Sequence, residues 1–211
     1  MRGKHWRKGN TLAAGFACRL GVRMGRVCSD GTVTLSFPIS VRTENDTRRN
    51  ALVFTSVSVD PTRLSSDLAK MRVKLKQALA EVTETTNRVV APLPLALITP
   101  KWAARRAAGI QLGAAGFPVG CSNVGDMVPA SNRPDGTDAD YMSARLVEPG
   151  VTRRTLERIG GQLFVASGRV HGKLSFSVTA YQPGRTNTQE ALRELILRTL
   201  DEFGVGAEIH G

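Results

Sequence analysis

The feature that most constrains this chain is a pair of strand-like runs, residues 162–170 and 173–181, joined only through His171-Gly172. Two residues between two such runs specify a hairpin. The next segment is equally readable: Thr186, Asn187 and Thr188 offer N-caps to a helix whose buried face is Ala191, Leu192, Leu195, Ile196, Leu200 and Phe203, and Gly204 supplies its stop. A hairpin and a one-sided helix must each cover an apolar face, so the chain ends in a layered arrangement of sheet and helix.

Upstream, the same two periods recur. Residues 10–26 read as a helix, Ala- and Leu-rich early and basic late, ended by the turn residues Ser29-Asp30-Gly31. Residues 32–41 alternate Val33, Leu35, Phe37, Ile39 and Val41 on one face, and Pro38 argues for an edge or a bulge there. Residues 51–59 are β-branched and nearly alternating, and Asp60-Pro61 closes that run before Ser65 or Ser66 caps a helix. In this helix Leu64, Leu68, Met71, Leu75, Leu79 and Val82 form one apolar stripe that reads as core. A Pro-punctuated apolar run (Pro92, Pro94, Pro100) and an Ala/Arg-rich helical piece over 102–108 come next. Residues 117–124 then suggest a buried strand, 125–140 a polar loop and 142–147 a short strand. The order specifies an α/β domain, an α+β layered sandwich with no internal repeat.

No window reaches the eighteen or so uninterrupted apolar residues that a membrane span requires, since the most apolar stretch, 89–98, carries two prolines. The basic N-terminus lacks a small-residue cleavage site, so no signal peptide is expected. Cys18, Cys28 and Cys121 are odd in number and widely spaced, which indicates neither a disulfide framework nor a zinc site and fits a reducing, cytoplasmic setting. The net charge of +11 invites a nucleic-acid reading, but seven of the basic residues fall before residue 30 with no acid among them, leaving 22 basic against 18 acidic residues beyond. Only 5% of residues are aromatic, and neither an RNA-binding aromatic signature nor finger spacing occurs. Nucleic acid is not an expected partner.

Residues that carry chemistry are sparse. A histidine base must reach a nucleophile or an acceptor hydroxyl, and His5, His171 and His210 lie in a charged tail, a hairpin turn and the penultimate position. Ser122 sits in Gly-Cys-Ser-Asn-Val and lacks the second glycine of a nucleophile elbow. Cys121, in a strand, reads as a small buried apolar residue. Asp135, Asp138 and Asp140 cluster in one loop without the downstream bidentate glutamate of a calcium loop, so a solvated turn is favoured and no metal is expected. Neither a phosphate loop nor a dinucleotide glycine motif occurs.

Taken in order, several segments resemble the second half of the acyltransferase superfamily that contains chloramphenicol acetyltransferase, condensation domains and the wax ester synthase/diacylglycerol acyltransferases. The last group is the most similar. The pieces are Asn10-Thr11-Leu12-Ala13-Ala14 opening a helix; Phe37-Pro38-Ile39-Ser40-Val41-Arg42, similar to a Pro-Val-Ser-Leu-Arg strand; Asn50 opening the next strand; and Cys121-Ser122-Asn123-Val124-Gly125, similar to Ser-Asn-Val-Pro-Gly. Two departures stand out: the Asn-Asp pair at the first helix is Asn10-Thr11, and the proline after Asn-Val is absent. The family's His-His-x-x-x-Asp-Gly motif, which supplies the general base from an N-terminal lobe, does not occur in this chain.

The resemblance implies a chloramphenicol-acetyltransferase-like lobe, a mixed sheet flanked by helices, over residues 1–211 with a basic tail at 1–9. It implies part of a CoA-thioester-dependent lipid acyltransferase, inactive alone, with acyl-CoA as co-substrate and no tightly bound cofactor. The implied partner is an N-terminal acyltransferase lobe, from a longer parent protein or a second protein chain. Ser122 and Asn123 would line the substrate tunnel and support the oxyanion, while Arg42, Asn50 and Asn10 would support the lobe. Without the resemblance, Ser122-Asn123 is an ordinary strand-ending turn and Arg42 forms a surface pair with Glu44. The other functional class is a non-catalytic binding or assembly module that uses the basic N-terminal segment to hold an acidic partner or an anionic lipid surface, in the cytoplasm or peripheral to a membrane.

Overall fold

The computed structural model describes residues 6–42, 46–47, 51–64, 67–85, 118–133, 135–145 and 150–210. Five strands form one mixed sheet: β1 (Val33–Ser40), β2 (Leu52–Val59), β3 (Val119–Asp126), β4 (Gln162–Val170) and β5 (Lys173–Tyr181). Their order is β2-β1-β3-β4-β5, with β1, β3 and β4 parallel and an antiparallel partner at each end. Helices α1 (Trp6–Arg23), α2 (Ala69–Thr85) and α5 (Gln189–Asp201) are the long ones; α3 (Pro129–Asn132) and α4 (Arg153–Arg158) are single turns or little more. The α/β class read from the periodicity is therefore present.

The core occupies one face of the sheet. Val33 and Leu35 of β1, Val57 and Val59 of β2, Val119 and Cys121 of β3, and Leu163 and Val165 of β4 share that face and one cluster. Helix α1 lies against them through Phe16, Ala17 and Leu20, while α2 adds Met71 and Ala78 and α5 adds Leu200. Gly21 sets how close α1 comes: a Cβ there would stand 2.8 Å from Val119 Cγ2 and 3.3 Å from Val33 Cγ1. The helix ends two residues later at Arg23, earlier than the expected residue 26. Gly25, at φ 70, reverses the chain: its N–H donates to the Val22 carbonyl and that of Arg26 to the Gly21 carbonyl, which satisfies two end carbonyls that Ser29-Asp30-Gly31 cannot reach.

Pro38, expected to mark an edge or a bulge, instead lies in an unbroken register of β1 between β2 and β3, and it is tolerated there for a geometric reason. The Val41 N–H donates to the Ala51 carbonyl, so alternate residues of β1 from Val41 back through Ile39 and Phe37 face β2, and Pro38 faces away. On that side β3 pairs only with Leu35 and Ser36, so no ladder bond is lost.

Two expectations need correction. Residues 142–147 are expected as a strand; Met142 to Arg145 instead form an extended segment over β5, where the N–H groups of Met142 and Ala144 donate to Ser175 Oγ and Ser177 Oγ (3.3 and 2.8 Å). Hydroxyls take the place of a ladder, and no sheet register forms. The expected loop over 125–140 contains the short turn α3. The cap expected at Ser65 or Ser66 falls outside the described residues, and Asp67 Oδ1 accepts from the Ala69 N–H (2.7 Å) at the start of α2. The Pro-punctuated run and the helical piece over 102–108 also lie outside the described residues. The hairpin and last helix form, with Thr188 capping α5 by accepting from the Ala191 N–H and Gly204 at φ 63 turning the chain out; Ala191, expected on the buried face, is exposed in the first turn, and burial is complete only toward the end, at Thr199 and Leu200.

Glu202 closes the helical layer by accepting from Arg19 Nε (2.6 Å) and from Arg23, both of α1. Burial pushes its carboxyl upward, but the two guanidinium groups outweigh this and leave it below the ordinary value. A lowered folded-state pKa contributes stability above the unfolded value and loses it as pH falls through the folded one. Glu202→Gln should therefore cost on the order of 1 kcal/mol at neutral pH. In denaturant melts the gap from the parent protein should narrow below about pH 4.3.

Candidate functional site

The polar group best organised within the sheet lies toward the carboxyl ends of its central strands, where open α/β sheets place their ligands. Neighbours along a strand project to opposite faces. Asn123 shares the face of Cys121, toward the helices, while Ser122 shares that of Gly120. The two residues that the sequence offers as one unit are thus divided by the strand, and only Asn123 joins a side-chain network.

That network runs through Ser167, directly opposite Asn123 in the parallel register and wholly buried at 0% exposure. Ser167 Oγ accepts from Asn123 Nδ2 (2.8 Å) and donates to the Ser122 carbonyl (3.3 Å), so its hydrogen and a lone pair are both used. Asn123 Oδ1 accepts from the Gly125 N–H (2.6 Å). This side-chain turn coincides with a break in register before Asp126 pairs with Arg169, and Gly125 takes φ 74 there, where a side chain would be strained. Ser122 and Asn123, read from the sequence as a strand-ending turn, instead lie inside β3, which continues to Asp126; the Asn123 side chain turns onto the backbone at the bulge that follows it. The bonds with Ser167 and Gly125 occupy Oδ1 and one of the two Nδ2 hydrogens.

The other residues that the resemblance singles out do not join this network within the described structure. Arg42 is exposed and donates from Nη1 to the Asp46 carbonyl (3.1 Å); Glu44, with which a surface pair is expected, lies outside the described residues. Asn50 also lies outside them, and Asn10 falls within α1 with its side chain outside the description. Ser167, which the sequence does not single out, is what anchors Asn123. Its only signal is a small polar residue between Ala166 and Gly168, in the middle of a mostly apolar strand.

A second polar knot holds the β4–β5 turn. Asp138 accepts from Arg133 Nε (2.5 Å) and Nη2 (2.9 Å), from Asn132 Nδ2 (2.8 Å) and from His171 Nδ1 (2.9 Å). Arg133 holds the Asp138 carboxyl below its usual value against a smaller upward push from burial, and His171 adds to the lowering. His171 stands at φ 47 and Gly172 at φ 77, the two positive values that a tight hairpin turn of this hand requires. Asp135 turns onto the N–H and hydroxyl of Thr137, so it is engaged apart from Asp138. His210 stacks on Tyr141 with ring centroids 4.4 Å apart. Among the described residues no group of three or more His, Cys, Asp or Glu is arranged to hold a metal ion. No described helix is long and apolar enough to cross a membrane.

Burial pushes the Cys18 and Cys121 thiols up to about 12, which at neutral pH leaves almost no thiolate on either sulfur. This agrees with the reading of Cys121 as core. No family model, curated protein or solved structure matches the chain.

The geometry makes two outcomes testable. In the folded protein a colourimetric disulfide reagent should titrate Cys28 alone, with Cys18 and Cys121 reacting only after denaturant is added; fast reaction of all three thiols would contradict their burial. Asn123→Ala should cost about 1–3 kcal/mol of stability. In a double-mutant cycle with Ser167→Ala, the coupling should be on the order of 1 kcal/mol.

Proposed function

We propose that this chain is the C-terminal-type lobe of a CoA-thioester-dependent lipid acyltransferase, wax ester synthase/diacylglycerol acyltransferase-like, with the chloramphenicol-acetyltransferase-like arrangement of that group. The observation that carries the reading is Asn123, an amide fixed on a buried serine toward the carboxyl ends of parallel strands, with one Nδ2 hydrogen beyond its bonds to Ser167 and Gly125. The ordered segments around Phe37-Pro38, Arg42 and Ser122-Asn123 support it.

In this reading a histidine of a partner lobe removes the proton of an alcohol, whose oxygen attacks the thioester carbonyl carbon of an acyl-CoA. The carbonyl oxygen becomes an oxyanion, and Asn123 Nδ2–H donates to it. Collapse expels the CoA thiolate, which takes the proton from the histidine and leaves an ester. Asn123 is suited to this role because Ser167 and the Gly125 N–H hold its amide plane, so no reorganisation is needed as charge develops. Ser122 contributes the backbone that its carbonyl bond to Ser167 secures.

The test is reconstitution. The purified chain with a long-chain acyl-CoA and a long-chain alcohol or diacylglycerol should form no ester, and addition of a separately produced lobe bearing His-His-x-x-x-Asp-Gly should restore transfer. In the restored pair Asn123→Ala should lower kcat by on the order of a hundredfold with little change in KM. Ester formation by the chain alone, or an undiminished rate from the folded Asn123→Ala pair, would overturn the reading.

A further inference from the structure

Strand β2 ends the sheet among the described residues, and the direction of its backbone groups can be assigned twice over. The Val41 N–H donates to the Ala51 carbonyl, which turns Ala51 toward β1. In an antiparallel pair the N–H and C=O of one residue face the partner and those of the next face away, so Leu52, Phe54, Ser56 and Ser58 point theirs outward. The Ser58 carbonyl agrees, since it accepts from Lys74 Nζ of α2 (2.8 Å), a group outside the β1–β2 ladder.

Lys74 guards one end of this edge, and among the described residues none guards 52–56 in the same way. Strand β2 contains neither a charge nor a proline, and Leu52 and Phe54 remain 51% and 70% exposed. At the opposite edge β5 begins with Lys173, and the 141–145 segment is fastened over it at Ser175 and Ser177. A long, uncharged, partly apolar edge with outward amides is a template for another strand.

The open stretch is also self-complementary. Antiparallel pairing about a two-fold axis at Phe54 sets it opposite Phe54 of the partner subunit, and sets Leu52 and Ser56 each opposite the other. All three are outward-facing residues, so their backbone groups exchange about six hydrogen bonds. Strands β1 and β2 contain no charged residue, so the residues that meet across this axis set no like charges opposite each other. An acidic strand from another protein would be drawn instead to Lys70 and Lys74 beside Asp60, at the guarded end. We infer that two copies of this chain associate through β2, continuing one five-stranded sheet into the other. This pairing does not depend on the acyl-transfer reading.

Sedimentation velocity of the full chain across the micromolar range tests it, with a concentration-dependent shift from one chain to two as the expected result. Phe54→Lys places like charges opposite each other on an exposed position and should raise the dimer dissociation constant on the order of tenfold or more. Ser56→Pro deletes an outward N–H without touching the β1 ladder and should raise it on the order of tenfold to a hundredfold. Both variants should keep the parental circular dichroism and cooperative melt, and Leu197→Lys on exposed α5 should associate as the parent does. Should Ser56→Pro fail to fold, Phe54→Lys decides alone. A parent protein that is monomeric throughout would overturn the proposal and leave the edge to a strand of different origin. Undiminished dimerisation of folded Phe54→Lys would overturn it equally.

Discussion

Helix α1 touches β1, β3 and β4 together, and Phe16, Ala17, Cys18 and Leu20 retain no exposed surface in doing so. Fully burying a phenylalanine or leucine contributes about 1.5–3 kcal/mol, so these few residues supply a large share of what a marginally stable domain has to offer. The contact requires Gly21, because any side chain there would meet Val119 and Val33. Once α1 is seated, its other flank is available to α2 and to α5, and Glu202 fastens α5 through Arg19 and Arg23. The helical layer is therefore organised around α1.

The Asn123–Ser167 pair depends on the same packing. Ser167 is a hydroxyl with no exposure, and such a group costs stability unless both its donor and acceptor functions are satisfied. The parallel register sets Asn123 and the Ser122 carbonyl within its reach, and the register holds because Cys121 and Val165 are paired in the core shortly before. Beyond Asn123 the register breaks and Gly125 turns the backbone. An ordered polar group at a strand end is thus a consequence of apolar packing immediately before it, and it is this group on which the proposed acyl-transfer role rests.

How much of this is legible in the sequence depends on how local each cause is. Strands β1, β2, β4 and β5 and helices α2 and α5 arise from alternation, stripes and caps within their own residues. The parallel pairing of β3 with β1 and β4 joins segments far apart in the chain, and no local period encodes it. Met142 to Arg145 has a strand-like apolar pattern, but the groups that receive its amides are serine hydroxyls of β5 more than thirty residues away. Helix α4 buries no residue and so shows no stripe. Ser122-Asn123 is visible as a polar pair, although the strand continues past it to Asp126, whereas its anchor, Ser167, is one serine in another strand and becomes meaningful only when the register is known.

Native-state hydrogen exchange of the intact chain tests most directly whether α1 and the central strands form one cooperative unit. The amides of residues 14–20 in α1 and those of β3 and β4 up to Asn123 and Ser167 should be the slowest to exchange, opening together with a free energy equal to that of global unfolding. Exchange of the α1 amides at the rate of exposed loops, while β3 and β4 remain protected, would contradict the dependence of the sheet and its polar strand end on this helix.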